Sequence, residues 1–109
     1  MKPLEQIAWA AGLFEGEGCI TISNQQRGYQ QPRLKLTMTD DDVVRRFGEI
    51  VEVGQFCIQR FKNPLYKEQL CWYTGKREDV VKVIDMLIPF FGERRKAKAL
   101  EVRAICLNS

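Results

Sequence analysis

The 109-residue chain contains no histidine. That removes the side chain most often used as a general base near neutral pH and leaves carboxylates, lysines or metal-bound water for acid–base chemistry. Long apolar runs are missing too: none approaches the ~20 residues that span a bilayer, and the N-terminal stretch lacks the pattern of a signal peptide. The expectation is a soluble, intracellular protein with no membrane partner. Cysteine is sparse, and Cys19, Cys57, Cys71 and Cys106 are widely separated with no C-x-x-C pair. Neither a zinc site nor a disulfide framework is indicated, so the four are expected as reduced thiols on strands and a helix. The length and the 45% apolar content suit one domain, residues 1–109, around a single core.

Charge is modest in sum and uneven in place. The formal net charge is +3, yet Arg94, Arg95, Lys96, Lys98 and Arg103 share one C-terminal segment, and Arg27, Arg33 and Lys35 lie near a candidate hairpin. Segregated basic clusters suggest phosphate binding better than the total does. Scattered surface lysines are the plain alternative, and the acidic group Asp40, Asp41 and Asp42 keeps the surface from being basic throughout.

Periodicity orders the chain. Leu4, Ile7, Ala8, Ala11 and Leu13 or Phe14 fall near helical spacing, predicting a helix over 4–14 with Pro3 suited to its first turn. Residues 19–23 alternate, with Ile20 and Ile22 on one face, and 33–39 alternate again, burying Leu34, Leu36 and Met38. The opposite face carries Thr21, Ser23, Arg33, Lys35, Thr37 and Thr39, as a β-ribbon reader of a DNA groove requires and as any solvated sheet also shows. Thr39 to Asp42 reads as a helix start with a capping oxygen, a role that explains Asp41 and Asp42 more simply than metal binding. Val43, Phe47, Ile50 and Val51 form the stripe of that helix, which ends before Gly54.

A second hairpin follows, with Phe56 and Ile58 on the face expected to be buried, a turn at 62–65, and Leu70, Trp72 and Thr74 alternating with Gln69, Cys71 and Tyr73. Val80, Val83, Ile84, Leu87 and Ile88 mark a third helix that Pro89 ends. Over 93–107, Ala97, Leu100, Ala104 and Leu107 form an apolar stripe beneath a basic face. The order is α-ββα-ββα-α: an α+β fold whose four-stranded antiparallel sheet carries its helices on one face and leaves the other open.

The first helix is the least ordinary element. Ala8, Gly12 and Gly16 recur every four residues, a ridge along which another helix can approach closely. Glycine inside a helix costs about 1 kcal/mol relative to alanine, and close approach of a partner is a reason for Gly12. Glu17 sits at the helix end, where the dipole disfavours a carboxylate and a divalent cation would be welcome.

Ala10 to Gly18, AAGLFEGEG, resembles the nine-residue signature of the LAGLIDADG homing endonucleases. Gly12, Leu13, the acids Glu15 and Glu17, and Gly18 match; Ala10 replaces the first leucine and Glu17 lengthens the usual aspartate. The resemblance implies an αββαββα core whose saddle of strands lies along the DNA major groove. With a single motif, it implies a homodimer in which Ala8, Trp9, Gly12 and Gly16 pack against their counterparts and both Glu17 side chains meet at the axis, over a long near-palindromic target.

By the same resemblance Glu17 and the Gly16 carbonyl hold Mg²⁺, with Mn²⁺ or Ca²⁺ as substitutes in binding, while Glu15 is more structural than catalytic. Asp40 and Arg94 occupy the places of the family's polar and basic active-site residues, with Lys96 an alternative for the basic role. Base contacts are expected from Thr21, Ser23, Gln25, Arg27, Gln31, Arg33, Lys35 and Thr37, with Gln59, Gln69 and Tyr73 from the second hairpin. The function implied is site-specific cleavage of double-stranded DNA, with no small-molecule substrate, in the mobility of an intron or intein. A DNA-binding regulator or intron RNA maturase that has lost cleavage is the alternative on the same fold. A monomeric RNA-binding module is a third class, and needs exposed sheet aromatics where the strands offer mainly Tyr73 and Phe61.

Overall fold

The computed structural model describes residues 3–24 and 28–108. Its elements run α1 (Leu4–Glu17), β1 (Gly18–Asn24), β2 (Gln30–Met38), α2 (Asp41–Val51), β3 (Gln55–Gln59), β4 (Gln69–Thr74), α3 (Arg77–Leu87), a 3-10 turn (Ile88–Phe90) and α4 (Glu93–Leu107). This is the order that periodicity predicts. The strands form one antiparallel sheet in the spatial order β1-β2-β4-β3. The second strand of each hairpin is therefore central and the first is an edge.

All four helices pack on one face. α2 lies against β2 and β4, α3 against β2, and α1 and α4 against β1 and β2. Alternation sends Leu34 and Leu36 of β2 and Leu70 and Trp72 of β4 into this layer, where all are buried. An aromatic run ties helices to sheet: Phe14 stacks on Phe47 at 5.8 Å and on Phe91 at 6.1 Å, and Phe47 meets Trp72 edge-on at 4.9 Å. The indole N–H of Trp72 donates to the Val53 carbonyl at 2.8 Å, so its one polar atom is satisfied in the core. Truncating a buried aromatic of this kind costs about 3–5 kcal/mol.

Four expectations change. α1 runs past Phe14 to Glu17, so both motif acids are helical and strand β1 starts at Gly18. A Cβ at Gly18 would collide with the Phe14 ring, which is why glycine stands at this junction. At the start of α2 no side chain supplies a capping bond; the Asp40 carbonyl instead accepts from the Val43 and Val44 amides, and Val44 rather than Val43 enters the core.

Phe56 and Ile58 of β3 are 43% and 54% exposed, because β3 is the outer edge strand and the helix layer covers it only in part. The Phe56 ring covers Gly48 on the flank of α2 and lies under Arg45. In α4 the predicted stripe is on the outside: Ala97, Leu100, Ala104 and Leu107 are exposed, and Ala99, Val102 and Cys106 are buried. The inward stripe carries no residue larger than valine, which suits a close approach of α4 to α3 and the sheet.

Candidate metal centre and nucleic-acid interface

The two motif acids, two residues apart on α1, have different surroundings. Glu15 is enclosed: its Oε1 accepts the Gly92 backbone N–H at 2.5 Å, its Oε2 accepts Arg95 Nε at 3.2 Å, and its carbonyl accepts Arg95 Nη2 at 2.9 Å. Gly92 is the N-cap residue of α4, so Glu15 satisfies an otherwise orphaned helix donor with a charge the helix dipole favours. Arg95 completes the joint by stacking over Phe14 at 5.5 Å. The end of α1 is thus fastened to the start of α4.

Glu17 is exposed and makes no ion pair with another described residue. The carbonyl of Gly16 beside it has no intrahelical donor, since the chain beyond Glu17 is strand. Carboxylate and carbonyl oxygens, both hard donors at a solvent-facing helix end, fit a magnesium-type ion and not a soft one. Among the described residues no cluster of three or more ligating side chains occurs.

The sheet register shows what lies near Glu17. Gly18, the first residue after Glu17, pairs with Leu36 near the end of β2, and Asp40 follows Met38, the last residue of β2, by two positions. Arg94 and Arg95 are in the first turn of α4, next to Glu15, and with Gly92, Glu93 and Lys98 they line a cleft of about 570 Å³. Arg94 shares this cleft with Glu15, while Glu17 and Asp40 lie outside its lining. Arg94 and Lys96 are exposed on α4, whereas Arg95, which the spacing from Pro89 does not single out, carries the bonds to Glu15. Asp40 is exposed as well.

The face of the sheet away from the helices is open and polar. Thr21, Ser23, Arg33 and Gln59 are exposed on it, with Lys35, Thr37, Gln69 and Tyr73 half-buried between them. Arg33 lies over the Tyr73 ring at 5.6 Å, and the Tyr73 hydroxyl donates to Gln55 at 2.9 Å. Gln31 is committed to the fold, donating to the Gly75 carbonyl at 2.8 Å and the Pro32 carbonyl at 3.2 Å. Thr37 Oγ1 is buried and finds no hydrogen-bond partner among the described residues. Gln25 and Arg27 lie outside the described residues. Phe61 falls beyond β3 and meets Tyr66 edge-on, so of the two candidate stacking aromatics only Tyr73 is on a strand of this face.

The packing ridge of α1 is open. Gly12 and Gly16 are exposed, and a Cβ added at either would meet nothing within 4 Å. Ala8 is half-buried, and Trp9 is half-buried beneath Arg46, whose guanidinium is 4.0 Å from the ring centroid. Arg77, which sequence patterning does not mark, ties distant segments by donating to the Ile105 carbonyl at 2.8 Å and the Gln30 carbonyl at 2.6 Å. No helix among the described residues is long and apolar enough to cross a membrane.

No family model matches the sequence, and no curated protein does. Solved structures do match the fold. The homing endonuclease I-CvuI, in complex with a DNA target in the presence of magnesium, superposes with a TM-score of 0.75 at 15% identity over 95% of this chain and 67% of its own. The group I intron-encoded homing endonuclease I-CeuI, complexed with DNA, gives 0.77 at 19% identity over 98% of this chain and 56% of its own. The LAGLIDADG meganuclease I-CpaMI, bound to uncleaved DNA, gives 0.72 at 12% identity, and there the chain spans 34% of the longer protein. The chain has the fold of the LAGLIDADG homing endonucleases.

Proposed function

We propose that the chain is a homodimeric, site-specific, divalent-metal-dependent endonuclease of double-stranded DNA. The observation that carries this reading is the α1 ridge: two exposed glycines that no contact within the chain requires, ending on an exposed glutamate. Each glycine costs about 1 kcal/mol of helix stability, a cost that close approach of a second α1 would offset. A two-fold axis along the ridge would bring two Glu17 carboxylates and two Gly16 carbonyls to one centre.

Magnesium bound there would neutralise phosphate charge and activate a water for hydrolysis of the phosphodiester bond. Glu17 and the Gly16 carbonyl would hold that ion. Glu15 keeps the end of α1 in place through Gly92 and Arg95. Arg94 lines the cleft as a fixed positive charge that would face the scissile phosphate, and Asp40 would contribute a polar group to the water network around the ion. The open sheet face lies along the major groove, with Arg33 and Lys35 on phosphates or guanines and Thr21, Ser23, Gln59, Gln69 and Tyr73 on base edges. The molecule's longest dimension, 43 Å, limits one subunit to about a dozen base pairs, so two subunits cover a long, near-palindromic site.

Incubating the protein with a randomised plasmid library and Mg²⁺, beside Glu17→Gln and a chelator control, tests this. The expected result is double-strand cleavage enriched for near-palindromic sequences, lost with Glu17→Gln or chelator. Cleavage that survives the substitution removes Glu17 from the metal centre. Binding without cleavage by the wild type makes the chain a regulator on the same fold.

A further inference from the structure

Cys57 of β3 and Cys71 of β4 are directly opposed in the antiparallel ladder, on the open face of the sheet. Opposed residues in such a ladder have Cα atoms about 4.5–5.5 Å apart, inside the 4.4–6.8 Å that a disulfide spans. Their Cβ atoms, about 4.5–5.5 Å apart, need to close by at most about 1 Å. Both side chains line one depression, and the Cys71 thiol donates to the Trp72 carbonyl at 3.7 Å. Cys57 is open to solvent and Cys71 is 2% exposed, so one sulfur is reachable by a reagent while the other waits behind it.

The remaining cysteines are out of range. Cys19 lies on β1, separated from β4 by β2 and so by about 10 Å, and Cys106 is in the core under α4. Arg33, Lys35 and Tyr73 border the same depression as the pair. None of the roles proposed above uses either thiol.

We propose that Cys57 and Cys71 form an oxidisable dithiol, a modification site that a hydroperoxide converts to a cross-strand disulfide. The Cys57 thiolate attacks one peroxide oxygen; the O–O bond breaks, the alcohol or water leaves, and Cys57 becomes a sulfenic acid. The Cys71 sulfur then attacks the Cys57 sulfur, the S–O bond breaks, and the departing hydroxide takes the Cys71 proton as water. Two thiols lose two electrons and two protons, and the peroxide is reduced by the same two electrons. A dithiol reductant reverses the change by exchange. Burial and the neighbouring thiol push the Cys57 thiol above its ordinary range, against the pull of Lys35 and Arg33, so closure quickens as the pH is raised. The disulfide pins edge strand β3 to β4 and takes both S–H groups off the open face.

The test is treatment of the folded full chain with hydrogen peroxide, followed by alkylation and peptide mass spectrometry. The expected result is loss of two of the four thiols, a mass lower by two hydrogens, a peptide linking positions 57 and 71, and full recovery with dithiothreitol. Cys19→Ser leaves this pattern intact. Cys71→Ser halts oxidation at a Cys57 sulfenic acid that dimedone traps, a readout that does not depend on Cys57→Ser folding. Four reactive thiols after peroxide overturn the proposal, as does a Cys57 sulfinic acid beside an unchanged Cys71 thiol, or Cys57 linked to a second molecule.

Discussion

Replacing Gly12 with alanine should strengthen the single chain and weaken the pair. Gly12 is helical and exposed, and a Cβ there meets nothing within 4 Å, so in an isolated subunit the substitution recovers the helix penalty of about 1 kcal/mol. Across a two-fold contact the same methyl group enters a close helix crossing from both sides. Overpacking of about 1–3 kcal/mol per methyl, doubled by symmetry, weakens the dimer by roughly 30-fold to 10⁴-fold. Sedimentation equilibrium with thermal melts over a range of concentrations separates the two effects. The wild-type midpoint should rise with protein concentration, as it does when association is linked to folding. Gly12→Ala should be monomeric at micromolar concentration, with a midpoint that is independent of concentration and above the wild-type value at the dilute end. An alanine variant as dimeric as the wild type would refute the ridge as the contact.

The two motif acids should separate in a melt. Glu15→Ala removes the cap on Gly92 and the partner of Arg95, costing about 1–2 kcal/mol, whereas Glu17→Ala stays within about 0.5 kcal/mol; equal losses would contradict the division of roles. Thr37→Val removes a buried hydroxyl that finds no partner among the described residues, so stability in a thermal melt should hold or gain up to about 1 kcal/mol; a destabilised variant would show that the hydroxyl serves the fold. Arg33→Ala and Lys35→Ala should each lower the slope of log binding constant against log salt by about 1, and an unchanged slope would take those residues off the phosphates.

Most of the architecture was legible because alternation and helical periodicity are strong wherever one face is buried, as in β2, where Leu34 and Leu36 face the helices and Arg33 and Lys35 do not. What the pattern cannot carry is which strand ends on the edge. Phe56 and Ile58 alternate like core residues, and only the order β1-β2-β4-β3 puts them on an outer strand that the helices cover in part. α4 carries two apolar stripes at helical spacing, and the larger one, with Leu100 and Leu107, is on the outside because close packing against α3 favours Ala99, Val102 and Cys106. That phase also decides the basic residue. With Ala99 inward, Arg95 one turn earlier turns toward α1, while Arg94 faces the cleft. The motif itself places two acids on one helix end, but their unlike surroundings arise from the start of α4, more than seventy residues later in the chain.

Mixing wild type with Glu17→Gln on a cleavable target tests the shared centre most directly. If each double-strand break needs a Glu17 from both subunits, cleavage follows the square of the wild-type fraction and falls to about a quarter at equal mixing. A fall to about a half, in proportion to the wild-type fraction, would mean that each chain cuts by itself and would contradict the two-fold site.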